Sequence, residues 1–233
     1  AIGGPVPAFL LAALALWRTV PSGTARAAVT DGGRTTVRAE LAAVRRAIGS
    51  YRVALAVGAI TLMLFSFQGL TAFYTSYLVD AKGLSAGLAG VLFGVVFLFG
   101  AGFQWIGGGL ADRYGHGRVL AAVAFLSVPP LVALPLLSGF GPLFVLSAVL
   151  GLRLSVGPVS NAYIVGLLPV EVRGTAWGLL RTGFFTVGAF GSTAVGAMAD
   201  RALYAEAFFV LAGLTAVAGV IYLFLPAREA DST

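Results

Sequence analysis

A single charged residue, Arg153, stands deep within a long apolar stretch of the sequence, residues 142–168. If this stretch is a helix, Arg153 lies eleven residues from its start, or about 16 Å at 1.5 Å per residue, which is near the centre of a bilayer. A charge at that depth costs at least ~2.5 kcal/mol on insertion scales, so the guanidinium must be paired or face water. Every carboxylate of the chain falls outside the long apolar stretches. The partner of Arg153 is therefore an acid outside this sequence, a backbone or water network, or an anionic group on a bound solute.

Several other polar residues on the apolar stretches have side chains suited to binding a small solute. The candidates for the lining of a solute-binding cavity are Arg153, Asn161, Gln68, Thr71, Thr75 and Arg181. Gln68, Thr71 and Thr75 recur at spacings of three and four residues, so they share one face of a helix. Arg181 lies seven residues from the start of the stretch 174–199. Instead of lining a cavity, its long side chain can therefore extend to the membrane surface. Asn161 and Gln68 equally suit hydrogen bonds between helices.

The composition of the chain indicates an integral membrane protein. Of its 233 residues, 59% are hydrophobic and 10% are charged, whereas soluble domains carry about a quarter charged residues. The net charge of +6 comes mostly from arginines beside apolar stretches, which membrane topology explains better than nucleic-acid binding. With no cysteine, one histidine and no acid deep in an apolar stretch, the chain lacks the groups of a catalytic or metal site. We therefore expect no enzymatic activity, cofactor, metal or nucleic-acid partner.

Six apolar stretches are long enough, at about 20 residues, to cross a bilayer as helices. They are residues 53–79, 84–110, 119–137, 142–168, 174–199 and 207–225. The pattern predicts an all-α fold, a polytopic transmembrane helical bundle over 53–225, followed by a tail at 226–233. A polar segment precedes the bundle at 18–52, and a shorter apolar stretch precedes that segment at 1–17. We interpret residues 1–17 as the end of a preceding transmembrane helix, so that upstream sequence is missing.

The arginines of the chain predict its orientation. Residues 18–52 contain seven arginines, and by alternation Arg113, Arg118 and Arg173 fall on the same side of the membrane. Basic residues in short loops favour the cytoplasmic side, so the segment 18–52 and the tail are expected to be cytoplasmic in a multi-pass protein of the cell membrane. Within that segment, residues 40–50 have a helical pattern. They form either a helix along the membrane surface or an extension of the next span.

Two short motifs lie in loops on the cytoplasmic side. Residues 108–118 read GGLADRYGHGR and residues 169–174 read PVEVRG. The first resembles the signature loop of the major facilitator superfamily, G-x-L-A-D-R-x-G-R/K-R/K, and the second resembles the P-x-x-x-R-G loop after the tenth helix of that family. The polar segment before six spans is also similar to the central loop of the family, so the resemblance covers essentially the whole chain. The sequence departs from the pattern at His116, which we expect to face water.

The resemblance implies the C-terminal six-helix half of a twelve-helix fold, with an N-terminal half as its partner. It implies secondary active transport of a small solute across a lipid bilayer by alternating access, and Arg153 favours an anionic or zwitterionic solute. Proton coupling usually needs an acid within the membrane, so a coupling ion would bind the other half, or the protein is a uniporter or an exchanger. The alternatives are a non-transporting receptor or scaffold on the same fold, and a half-size carrier that works as a dimer.

The resemblance also assigns a gating role to the two loops, whose contacts would latch the two halves together. The residues concerned are Gly108, Asp112, Arg113, Gly115, Arg118, Glu171, Arg173 and Gly174. Asp112 is expected at a helix end, where its carboxylate caps free amide groups or pairs with Arg113 or Arg118. The alternative is that these charges only fix the topology.

Overall fold

A computed structural model describes the backbone of residues 35–225 and the side chains of residues 42–225. The predicted helix end at 1–17, the tail at 226–233 and the first part of the linker lie outside the described residues. The chain divides into two compact units, Ala1–Leu41 and Ala42–Thr233, and the helical bundle belongs to the second.

The described residues form helices and contain no strand, which confirms the prediction of an all-α fold. The α-helices are α1 (Thr35–Ile48), α2 (Tyr51–Asp80), α3 (Ala86–Tyr114), α4 (His116–Leu136), α5 (Phe140–Leu150), α6 (Val156–Leu167), α7 (Arg173–Ala199) and α8 (Tyr204–Leu223). Two short 3₁₀ segments, Gly151–Ser155 and Val170–Val172, precede α6 and α7.

The helix α1 confirms that the end of the linker is helical. It stops at Ile48, and a new helix begins at Tyr51, where the side chain of Ser50 accepts a hydrogen bond from the backbone N–H of Val53 at 3.3 Å. This cap separates the two helices, so α1 is not an extension of the next span. Val44 on α1 is buried in a cluster that includes Val53. Its position along a membrane surface stays a prediction.

Six helical segments coincide with the six predicted spans within a few residues at each end. Five of them are long and apolar enough to cross a membrane: α2, α3, α4, α8 and the segment Phe140–Leu167, which includes α5 and α6. The helix α7 is comparably long but less apolar, because glycine, threonine and Arg181 are interspersed among its hydrophobic residues. Its crossing of the membrane therefore stays a prediction.

The helix α2 contacts α3, α6, α7 and α8, so it holds the bundle together. Glycines bring α7 close to it. A side chain at Gly191 would collide with the backbone carbonyl of Phe65, and a Cβ atom at Gly188 would lie 2.7 Å from Cγ of Leu64. Small residues at such contacts are typical of helices that pack in lipid, because they let the backbones approach.

The fourth span is not one continuous helix, as the apolar stretch 142–168 had suggested. The 3₁₀ segment Gly151–Ser155 interrupts it between α5 and α6. This segment lies very close to α3, since a Cβ atom at Gly151 would be 2.7 Å from the carbonyl oxygen of Val96, and one at Gly107 would be 2.8 Å from Cβ of Ser155. A stretch of 3₁₀ in the middle of a helix often marks a functional hinge, and this one carries Arg153.

Candidate functional site

Arg153 is almost completely buried, with 3% of its surface exposed. Its Nη1 donates to the hydroxyl oxygen of Thr215 at 3.0 Å, and its Nη2 donates to the backbone carbonyl of Met63 at 3.4 Å. Its Nε finds no acceptor among the described residues, and none of them forms an ion pair with it. The guanidinium is thus enclosed by neutral partners, which offset only part of the cost of burying its charge.

The hydroxyl of Thr215 connects Arg153 to two helices. Thr215 Oγ1 donates to the carbonyl oxygen of Leu211 in its own helix α8 at 2.7 Å and lies 3.1 Å from Ser66 Oγ on α2. Ser66 Oγ donates to the same carbonyl at 3.1 Å, and both hydroxyl side chains are fully buried. Because Thr215 accepts from Arg153 while it donates within α8, it fixes the position of the guanidinium.

Three polar residues of this region, Thr215, Ser66 and Gln104, were not among our predicted candidates. Thr215 is one of two polar side chains among residues 207–225, and Gln104 carries the one side-chain amide among residues 84–110. Thr215 and Gln104 are each isolated in an apolar stretch, which is the signal that identified Arg153 and could have identified these two residues.

Beside Arg153, the bundle contains a cavity of about 270 Å³ between α2, α3, the fourth span and α7. The polar part of its lining is Arg153, Asn161 and Gln104, and no carboxylate of the described residues contributes to it. Four phenylalanines form much of the wall: Phe67, Phe97, Phe184 and Phe185. The Oδ1 atom of Asn161 is buried and has no hydrogen-bond partner among the described residues. The cavity is therefore lined by a cationic residue, by an asparagine whose buried amide oxygen is unpaired among the described residues, and by an aromatic surface.

Of the six predicted cavity residues, Arg153 and Asn161 line this cavity. The other four lie outside its lining and are Gln68, Thr71, Thr75 and Arg181. Thr71 uses its hydroxyl within its own helix, where it donates to a backbone carbonyl at 2.9 Å. Arg181 is exposed, and its guanidinium lies 5.5 Å from the ring centre of Phe185, which does line the cavity. A part for these four residues in binding stays a prediction.

A known protein family matches most of the chain. The family model described as Major Facilitator Superfamily matches residues 1–157 of the 233. The chain belongs to the Major Facilitator Superfamily. This confirms the resemblance that the two loop motifs had indicated, whereas the placement of the chain in the C-terminal half of the fold stays a prediction.

Relatives from the superfamily match the chain over part of their length. YfnC of Bacillus subtilis, an uncharacterized MFS-type transporter, is 32% identical over 160 residues, which cover 67% of this chain and 38% of YfnC. The multidrug resistance protein MdtG of Citrobacter koseri is 32% identical over 136 residues, which cover 58% of this chain and 34% of MdtG. MdtG of Escherichia coli is also 32% identical, over 33% of its length. The matched part of the chain thus covers 33–38% of the length of these relatives.

The signature loop of the superfamily forms the turn between α3 and α4. Gly115 joins the two helices with φ 89° and ψ 139°, a conformation that side chains other than glycine rarely adopt. Asp112 lies in the last turn of α3 rather than at a helix start, so it does not cap free amide groups as we had expected. It is exposed, as are Arg113 and Arg118, and it forms no ion pair with either of them within the described residues.

His116, where this loop departs from the superfamily pattern, is buried, with 5% of its surface exposed. Our expectation that it faces water is therefore wrong. His116 begins α4 on the face that contacts α6, and the centre of its ring lies 6.0 Å from the ring centre of Tyr163.

The second loop motif closes the turn between α6 and α7. Arg173 donates from Nε and Nη2 to the backbone carbonyl of Leu168, at 3.3 and 3.2 Å. Glu171 and Gly174 are exposed. Neither Gly174 nor Gly108 in the first loop has a described atom within 4 Å of the position that a side chain would take. The latch between two halves stays a prediction for all of these loop residues.

Proposed function

We propose that this chain is the C-terminal half of a secondary transporter of the cell membrane, which moves a small anionic or zwitterionic solute by alternating access. The observation that carries the proposal is Arg153, a buried cation with only neutral partners among the described residues, at the wall of a cavity. The anionic group of the solute supplies the counter-charge that the described residues do not.

The hydrogen bonds of Arg153 favour a bound anion. Its two Nη atoms are held by a hydroxyl and a carbonyl, which orient the guanidinium without neutralising it. Its Nε is buried and has no acceptor among the described residues, so one hydrogen bond of the guanidinium is not made. In surroundings of low dielectric constant, a hydrogen bond between two charged groups is about twice as strong as one between neutral groups. A carboxylate in the cavity would therefore bind more strongly beside Arg153 than a neutral solute.

The relatives support transport as the activity of the whole protein. One is named as an MFS-type transporter and the other as a multidrug resistance protein. In many secondary transporters, the solute site lies near the bilayer midplane between two halves that rock around it. We assign residues 18–52 to the central cytoplasmic linker and residues 53–225 to one six-helix half. Residues 1–17 and 226–233, for which we predicted a helix end and a cytoplasmic tail, lie outside the described residues.

The loops and the cavity suggest how the transport cycle is controlled. The exposed charges Asp112, Arg118 and Glu171 lie in the two motif loops, where they contact the other half in one of its two positions. Because no carboxylate of the described residues lines the cavity, a coupling ion binds the other half, or the carrier works as a uniporter or an exchanger.

The test is counterflow in proteoliposomes that contain the intact carrier. Vesicles are preloaded with unlabelled benzoate, an aromatic anion, or with phenylalanine, an aromatic zwitterion, and uptake of the radiolabelled solute is followed. We expect transient accumulation of at least one of the two. Arg153→Gln removes the charge and is expected to abolish the accumulation at an unchanged protein level. Arg201→Gln, which removes an exposed arginine beyond the end of α7, is the matched control and retains it.

Each failure of this test has a separate meaning. If the wild type gave no counterflow of either solute, an aromatic anion or zwitterion of this size would not be its cargo, and a receptor or scaffold on the same fold would be favoured. If counterflow continued at the wild-type rate in Arg153→Gln, the arginine would have a structural partner instead, and its contact with the solute would be refuted.

A further inference from the structure

We propose that Arg181 and Phe185 on α7 form an outer binding site, which holds the carboxylate of an aromatic anion at the mouth of the cavity before the anion reaches Arg153. The inference rests on the proposed function, because it concerns an earlier step on the way to the same cavity. It adds a second cation, with a different environment, to the path of the solute.

The geometry of the pair leaves the guanidinium of Arg181 free to bind an anion. The two residues are one helical turn apart, and the guanidinium carbon lies over the ring of Phe185, 5.5 Å from its centre. Contact with an aromatic face leaves the N–H groups of arginine, which lie in the guanidinium plane, available to other acceptors. No described residue accepts a hydrogen bond from Arg181 or forms an ion pair with it. Its five N–H donors therefore remain for a carboxylate.

An arginine at the other end of α7 shows what a satisfied side chain looks like. Arg201, just beyond α7, is also exposed, but its Nη1 donates to the carbonyl of Ala197 in the preceding turn at 3.3 Å. Arg181 makes no such contact with its own helix and instead lies against Phe185. The position of Arg181 is thus set by a ring that belongs to the cavity wall.

Phe185 connects the exposed arginine to the interior of the cavity. Its side chain is 43% exposed, yet it lines the same cavity as Arg153. The neighbouring ring of Phe184 is buried, and the two ring centres are 5.2 Å apart. An aromatic anion whose carboxylate is held by Arg181 can rest its own ring on this surface. The aromatic wall then leads from the outer cation to the inner one.

The burial of the two arginines predicts the order in which they act. Arg181 is exposed among the described residues. We take it to face water at the mouth of the cavity, where binding an anion costs little desolvation and is weak and sensitive to salt. Arg153 is buried, and its interaction with an anion is weakly screened. The outer site therefore raises the rate at which anions enter, and the inner site provides most of the affinity.

The test measures initial uptake of radiolabelled benzoate by the intact carrier in proteoliposomes, at low and at physiological ionic strength. We expect Arg181→Gln to lower kcat/KM about fivefold to tenfold at low salt, with kcat little changed, because one steering charge is lost. The difference in kcat/KM between Arg181→Gln and the wild type should shrink at physiological salt, where the Debye length falls to about 8 Å. Arg181→Lys keeps the charge and should retain the salt dependence of kcat/KM. Phe185→Leu removes the ring beneath Arg181 and should lower kcat/KM at low salt, but less than Arg181→Gln does. The matched control is again Arg201→Gln.

Neutral benzyl alcohol, of the same size as benzoate, separates a charge effect from damage to the fold. Binding of benzyl alcohol to the purified carrier should not change in Arg181→Gln, and equal losses in the binding of benzyl alcohol and of benzoate would overturn the outer site. The outer site would also be refuted if Arg181→Gln behaved as the wild type while Arg153→Gln lost benzoate uptake, and the proposed function would then stand. If wild-type carrier did not take up benzoate at all, the anionic substrate and the outer site would fail together.

Discussion

Two buried polar clusters join α2 to its neighbours, and they differ in whether their hydrogen-bonding groups are all satisfied. In the first cluster, the hydroxyls of Tyr74 and Ser147 lie 2.5 Å apart, and Ser147 also donates to the carbonyl of Leu143 at 2.7 Å. In the second cluster, Arg153 and Thr215 form hydrogen bonds, but Nε of the arginine has no acceptor among the described residues. The first cluster is neutral and complete, whereas the second is charged and incomplete.

This difference separates two uses of polar groups inside a helical bundle. A closed neutral pair links helices, and each such hydrogen bond is worth about 0.6 kcal/mol on average in membrane proteins. A buried charge without a counter-charge costs stability and persists where it serves function. We therefore expect changes in the two clusters to have opposite consequences, with binding lost in one and stability lost in the other.

The largest effect is expected from Arg153→Met, which removes the charge but keeps an unbranched side chain. The dissociation constant for benzoate should rise at least about tenfold, because a charged hydrogen bond is worth about 1.5–3 kcal/mol. The melting temperature should stay the same or rise, since a buried charge is replaced by an apolar group. Equilibrium binding and thermal unfolding of the purified carrier measure the two quantities. A lowered melting temperature with normal binding would contradict the comparison.

A smaller effect on binding is expected from Thr215→Val, which keeps the shape of the side chain but removes the acceptor for Nη1 of Arg153. The guanidinium loses one of its two fixing contacts, and the affinity for benzoate should fall about threefold to tenfold, or roughly 1 kcal/mol. Thr215→Ser retains the hydroxyl and is the control, for which wild-type affinity is expected. A loss of affinity in Thr215→Ser with normal affinity in Thr215→Val would mean that packing of the methyl group, not the hydrogen bond, positions the arginine.

In the closed cluster, Tyr74→Phe should lower stability without affecting binding. Ser147 keeps its hydrogen bond to Leu143, so the loss is limited to one interhelical hydrogen bond, about 0.6–1 kcal/mol. Denaturant or thermal unfolding of the purified carrier measures this loss. Benzoate affinity should stay within about twofold of the wild type on the same preparation. A large change in affinity would remove the distinction between the two clusters.

The smallest effects are expected at Gln68 and Thr75, which were predicted to line the cavity but lie outside its lining. Gln68→Leu and Thr75→Val should each change benzoate affinity by less than about twofold, or roughly 0.4 kcal/mol. Uptake and binding measurements of the two variants check this. If either variant lost affinity as Thr215→Val is expected to, the binding surface would extend along α2 beyond the described cavity.

Much of the fold was accessible from the sequence because a bilayer imposes a simple rule. Helical spans need about 20 apolar residues, and six such stretches predicted the helical segments within a few residues. Arg153 also stood out in the sequence as one charge in an apolar stretch, and the structure buries it in the bundle, whereas its depth in the bilayer stays a prediction. The spacing of Gln68, Thr71 and Thr75 predicted that they share one face of a helix, and all three lie on α2. Spacing alone does not tell which neighbouring helix that face contacts, and the face lies outside the lining of the cavity.

The parts that sequence reasoning missed depend on contacts between distant residues. Thr215 resembles any threonine that bonds within its own helix, and its contact with Arg153 appears only when the fourth span and α8 are placed together. The break at Gly151–Ser155 has no proline within it. Pro158 follows three residues later, however, and cannot donate to the carbonyl of Leu154 inside the break, so part of the cause is local. The close contact of Gly151 with α3 depends on the packing of two helices and is the part that the sequence does not show.

The 3₁₀ segment Gly151–Ser155 also changes the helical phase of the fourth span. A 3₁₀ turn advances about 120° and 2.0 Å per residue, against about 100° and 1.5 Å in an α-helix. Over five residues, α6 is rotated by about 100° and displaced by about 2.5 Å from the path that α5 alone would set. A helical wheel drawn through both helices therefore assigns the residues of α6 to the wrong sides. A one-residue insertion or deletion here would turn Asn161 by a similar angle, so the length of this short segment governs which residues face the cavity.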